Sequence, residues 1–101
     1  MRTSFKTVAK GLDFDSFPMK LWAKAKKYGI WDPAAIDFTQ DKKDWDNLNH
    51  SEQLFIARVV TQFQAGEEAV TLDLLPLIMA VAKEGRIEEE MYLTSFLWEE
   101  A

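Results

Sequence analysis

Two glutamates sit where apolar residues belong, and carboxylates are the side chains that hold hard metal ions. An apolar stripe runs through Ile56, Val59, Val60, Phe63, Val70, Leu74 and Ile78, mostly at spacings of three or four. Its one seven-residue gap is filled by Glu67, four after Phe63 and three before Val70. The neighbouring Glu68 falls outward with Thr61, Gln64 and Thr71. Glu100 repeats the pattern, seven after Leu93, four after Phe96 and three after Leu97, whereas Glu99 follows Tyr92 and Ser95 on a more mixed face. A charged carboxylate on a core face is costly unless a cation or hydrogen-bond donors meet it. A buried arginine or backbone donors are the commoner partners. Here Arg58 lies nine residues before Glu67 and Arg86 stands near a turn, so neither is well placed. Ala65 and Gly66 leave room for an ion or another backbone, which would justify a mid-helix glycine that otherwise costs about 1 kcal/mol. A carboxylate-bridged dimetal site takes a Glu from each of two helices and a Glu-x-x-His from each of two others. Glu67 fits the first role. Glu100 fits the opening of the second, whose histidine would fall two residues past Ala101.

The elements that must position these residues are helices. Ser16 before Pro18 opens one and Gly29 closes it. Leu21, Trp22, Ala25 and Tyr28 form one side of it, and Lys20, Lys24 and Lys27 another. That lysine stripe suits an acidic surface or lipid headgroups, or simply solvent opposite a buried face. Residues 30–48 carry Asp32-Pro33, Asp37, Asp41, Asp44 and Asp46 without the central Gly and closing Glu of an EF-hand, so calcium is set aside. Trp31, Ile36, Phe38 and Trp45 are expected to plug this connection into the core. Asn49 and Glu52 form a capping-box pattern, and the sequence then reads as helix to Lys83, about 34 residues or roughly 50 Å. Pro76 predicts a kink or a restart. Gly85 ends the segment, and Arg86 to Ala101 again reads as helix. Folded back at Gly85, Glu67 and Glu100 lie about 27 and 22 Å from the turn, close to one level. The last turn, Trp98-Glu99-Glu100-Ala101, has no C-cap and places acids at the wrong end of the helix dipole, as though cut inside a helix.

Composition frames the rest. The 101 residues carry 12 Lys and Arg against 17 Asp and Glu, a net charge of −5, with 48% hydrophobic residues, the balance of one small globular domain. Its expected parts are a lead-in with short helices over 1–48 and a helical hairpin over 49–101. Cysteine is absent, which removes disulfides, thiolate metal sites and cysteine nucleophiles, and His50 is the single histidine. The acidic balance argues against a nucleic-acid partner. No apolar run follows the first charges, so no export signal is expected, and the longest apolar stretch, Leu74 to Ala82, is about half a membrane span. A cytoplasmic location without a membrane span is the default. Thirteen aromatics exceed what a minimal core of this size needs.

With these residues in view the chain resembles the N-terminal third of a ligand-binding oxidase of the ribonucleotide-reductase small-subunit type, in the ferritin-like superfamily. The resemblance rests on Leu21-Trp22-Ala23-Lys24-Ala25-Lys26-Lys27, Trp31-Asp32-Pro33, Ile36-Asp37-Phe38 and Asp44-Trp45. It rests above all on Ala65-Gly66-Glu67-Glu68-Ala69-Val70 and Trp98-Glu99-Glu100-Ala101. It implies an all-α, ferritin-like four-helix bundle with a dinuclear manganese–iron or di-iron centre that activates dioxygen, a long-chain fatty acid bound at the metals, and a homodimer. Glu67 matches the first-helix carboxylate ligand and Glu100 the Glu of the first Glu-x-x-His. Val70 matches a valine that the family joins by an ether link to a tyrosine, here expected beyond residue 101. The first His ligand and three further ligands are not among these residues, so the isolated 101-residue chain is expected to hold metal weakly. The rival expectations are a non-catalytic helical interaction domain, whose acids pair with a partner's basic residues, and an iron-storage protein lacking the cross-link.

Overall fold

The computed structural model describes residues 5–29 and 31–101, and every element among them is helical. The opening four residues, expected to hold no export signal, and Ile30 lie outside the described residues. The chain forms α1 (Lys6–Ala9), α2 (Phe17–Tyr28), a 3-10 turn (Pro33–Ala35), α3 (Thr39–Asn47), α4 (His50–Lys83) and α5 (Ile87–Glu100).

The helix ends follow their capping chemistry. Ahead of α2, Ser16 is extended (ψ 149°) and Pro18 stands in the first turn, where a missing N–H costs nothing. The Ser16 hydroxyl donates to the Asp13 carbonyl at 2.6 Å rather than capping α2. The capping box of α4 forms as expected: the Glu52 N–H donates to Asn49 Oδ1 at 3.0 Å, and the Asn49 N–H to Glu52 Oε2 at 2.9 Å. At the far end Gly85 adopts φ +74°, which a residue with a side chain rarely tolerates. Its N–H meets the Ala82 carbonyl at 3.1 Å and the Arg86 N–H meets that of Val81 at 3.3 Å, a Schellman closure. Pro76 does not restart the helix: α4 is continuous through it.

Two compact units divide the chain, residues 1–30 with 68–101, and residues 31–67. In the first, α2 packs on α5. Its buried residues are Met19, Leu74, Val81 and Glu88. Leu74 belongs to the α4 stripe identified from spacing and Val81 extends it, four residues before and three after half-buried Ile78.

In the second unit the expectation of a plugged connection fails. Trp31, Ile36, Phe38 and Trp45 are all exposed, and so are Ile56, Val60 and Phe63 on the stripe. The reason is geometric, because a 3-10 turn, one nine-residue helix and the first half of α4 form too small a layer to cover these side chains. The aspartates act locally instead. Asp32 accepts from the Ala34 N–H, Asp37 from the N–H and hydroxyl of Thr39, and Asp44 from Gln40. The Thr39 hydroxyl, then its N–H, hold the Asp37 carboxyl below its ordinary value. Gln53 ties α4 to α3 by donating to the Trp45 carbonyl at 2.9 Å.

Candidate metal centre

Glu67 lies at the middle of α4, seventeen residues from its first residue, His50. It belongs to the unit of residues 31–67, while Val70 and Glu100 belong to the other. Its face is accessible, with the whole turn from Thr61 to Val70 exposed. Gly66 beside it has open space where a Cβ would sit, so the room expected from its small side chain is present. Val70 follows one turn later and is 40% exposed.

Glu100 is the last residue of α5 and is half-buried, as its position after Phe96 and Leu97 predicts. The adjacent Glu99 is exposed as a residue, yet its Oε1 is pressed against the backbone of Gly29 where α2 ends. Gly29 is not in the left-handed region (φ −88°). A glycine is required there for space, since a Cβ would collide with the Glu99 carboxylate and meet the Ala25 carbonyl at 2.9 Å. The α2–α5 contact therefore reaches the turn that carries Glu100.

One acid that spacing arguments passed over is the most buried charge among the described residues. Glu88 is 3% exposed at the start of α5, and its Oε1 accepts from Lys6 Nζ at 2.5 Å and from the Asp13 N–H at 3.1 Å. The Lys6 hydrogen bond holds its carboxyl below the ordinary glutamate value against burial, which acts the other way, and the N–H groups of Asp13 and of Glu88 itself add to the lowering. Glu88 stands three, four and seven residues before half-buried Met91, Tyr92 and Ser95, the mixed face of α5 that also carries Glu99, so a search for carboxylates on an apolar stripe passes over it. Arg86, far from either candidate ligand in sequence, pairs with Glu84 and Glu89 at 3.3 and 3.1 Å.

Among the described residues no three His, Cys, Asp or Glu side chains form a metal-binding group. The carboxylate donors that are present suit manganese and iron rather than copper.

Comparison with known proteins defines the class. The model of the ribonucleotide reductase small chain matches residues 15–101, so the chain belongs to that family. Its fold is accordingly all-α and ferritin-like, as expected. More particularly, it is similar to the R2-like ligand-binding oxidase from Sulfolobus acidocaldarius at 44% identity and a TM-score of 0.90, over 99% of this chain and 36% of that one. A tyrosine-to-phenylalanine variant of an R2-like ligand-binding oxidase with an aerobically reconstituted Mn/Fe cofactor superposes at 0.91 with 44% identity, over 99% and 37%. A valine-to-isoleucine variant of an R2-like ligand-binding oxidase, reconstituted anaerobically with Mn/Fe, gives 0.92 at 43%, over the same shares. The chain thus spans little more than a third of the length of these relatives and corresponds to their N-terminal portion.

Proposed function

We propose that this chain supplies one part of a dinuclear manganese–iron oxidase that activates dioxygen, with di-iron as the alternative metal pair. The observation that carries this is the family match through residues 15–101, which includes all three candidate site residues. Glu67 and Glu100 would hold metal, and both offer the hard oxygen donors that manganese and iron accept. When bound, such a metal pair supplies reductive activation of dioxygen and removal of hydrogen from a nearby C–H bond. The chain's own residues prepare that chemistry. Gly66 leaves open space beside Glu67, and Val70 presents a C–H-bearing side chain one turn further along the same side of α4. The α2–α5 contact at Gly29 and Glu99 fixes the last turn of α5, and with it the backbone of Glu100.

The finer assignment is a long-chain fatty acid held at the metals and an ether link between Val70 and a tyrosine of the intact protein, formed with loss of one hydrogen from each. Support comes from the relatives, which are R2-like ligand-binding oxidases and include valine and tyrosine variants reconstituted with Mn/Fe. A cytoplasmic homodimer is the assembly we assign to the intact protein.

The test is elemental analysis of the intact protein after aerobic loading with manganese and iron. About two metal ions per chain are expected, with loss of at least one in Glu67→Ala; full retention would remove Glu67 from the ligand set. Peptide mass spectrometry should find a Val70–tyrosine adduct two hydrogens lighter than its parts, absent in Val70→Ala. Two metals without that adduct would keep the oxidase and remove the cross-link.

A further inference from the structure

Charge is segregated along this chain in a way the metal chemistry does not use. Residues 1–30 hold seven Lys and Arg against two Asp, whereas residues 31–101 hold five against fifteen Asp and Glu. An acidic protein has therefore concentrated more than half of its cations in its first thirty residues, and four of them lie on α2: Lys20, Lys24, Lys26 and Lys27.

The packing of α2 decides which way they face. Met19 is buried and Trp22, Ala25 and Gly29 are half-buried on the side that meets α5. At 100° per residue, Lys20, Lys24 and Lys27 fall opposite, and all three are exposed. Lys20 and Lys24 form no ion pair among the described residues, and Lys27 lies 5.1 Å from the ring centroid of Tyr28. Two large aromatics flank the cations on this outward face, Phe17 at 74% exposure and Tyr28 at 70%, about 16 Å apart along the helix. Phe14, also exposed, precedes Phe17 in the turn before α2. Asp13 and Asp15 stand before the helix rather than on it.

We propose that this face of α2 is a peripheral docking surface for anionic lipid bilayers. Lysines with aliphatic stems and amphipathic aromatics at both ends are the side chains that settle at the headgroup boundary, the cations on lipid phosphates and the rings below them. Because α2 is held by α5 on its other side, the face needs no unfolding to meet a flat surface. The contact is peripheral, since no helix among the described residues is long and apolar enough to cross a membrane. The remainder of the chain carries an excess of acids, so the attraction to an anionic surface comes from this lysine face. The proposal does not depend on the metal centre.

Each lysine near an anionic surface changes partitioning by about fivefold. Sedimentation of the intact protein with vesicles tests this, comparing phosphatidylcholine alone with phosphatidylcholine containing phosphatidylserine. Binding is expected only to the anionic vesicles, weakening as salt rises. The triple variant Lys20→Gln, Lys24→Gln, Lys27→Gln should lose about a hundredfold in partitioning, while Lys42→Gln with Lys43→Gln, two exposed lysines of α3, should keep it. Each single α2 variant should lose about fivefold, which keeps the test valid if the triple variant misfolds by circular dichroism. Absence of binding to anionic vesicles, equal binding to neutral ones, or an α2 series indistinguishable from the α3 control would each overturn the proposal.

Discussion

Glu88 shows what a single carboxylate does when its surroundings are supplied by the chain itself. Lys6 and the Asp13 N–H meet it, so burial does not neutralise it, and the pair ties the lead-in to the start of α5 across 82 residues of sequence. Its folded-state carboxyl titrates below its value of 4.5 in the unfolded chain. The unfolded chain therefore takes up the proton first as pH falls. The stability this residue adds is present above about pH 4.5 and drains away as pH drops through the folded value. In chemical denaturation of the intact protein between pH 7 and pH 3, Glu88→Gln should flatten the acid limb of the stability curve. At pH 7 it should cost about 1–2 kcal/mol for the lost charge-assisted hydrogen bond. An acid limb as steep as wild type would mean that other carboxylates carry it. Glu67 and Glu100 are singled out as candidates by register alone, because a carboxylate interrupting an apolar stripe is visible without coordinates. The partner of Glu88 is not legible in this way, since nothing local in the sequence brings Lys6 to residue 88.

At the scale of elements, the signals that proved readable are those in which a few adjacent residues satisfy each other. Asn49 with Glu52, Pro18 at the first turn of α2 and Gly85 at the end of α4 each settle backbone groups within about one turn, so sequence alone locates them. Asn49→Ala should cost about 1 kcal/mol in denaturation of the intact protein, the usual loss for an N-cap, and a neutral effect would show that the box is redundant. Gly29 is different. Its position at the end of α2 suggested a helix stop, but its backbone is ordinary and its need is room for the Glu99 carboxylate. Gly29→Ala should therefore destabilise by about 1–3 kcal/mol through overpacking. Adding Glu99→Ala should recover only part of this, because the Ala25 carbonyl still crowds the new methyl group. Full recovery would place the whole conflict in the carboxylate, and no recovery would place it in the backbone.

For the molecule as a whole, the periodicity of α4 was right about which face is apolar and could not say how much of it this chain covers. Where the stripe runs through Leu74, Ile78 and Val81 it is wholly or half buried, and where it runs through Ile56, Val60, Phe63 and Val70 it is exposed. Period reports a direction, whereas coverage depends on layers that helices of four to 34 residues do not all provide. The surplus of aromatics has the same explanation: Phe55, Phe63, Trp31 and Trp98 are shaped for a core yet lie exposed. These facts fix the behaviour of a polypeptide of residues 1–101 made by itself. Its described residues offer no group of three metal-ligating side chains, so manganese and iron should wash out of it on gel filtration while the intact protein keeps them. Its uncovered apolar side chains should make it self-associate as concentration rises, seen as a growing sedimentation coefficient. Retention of a metal pair by that polypeptide alone would show that Glu67 and Glu100 suffice without ligands from elsewhere, and would overturn the view that this part of the fold supplies only a share of the site.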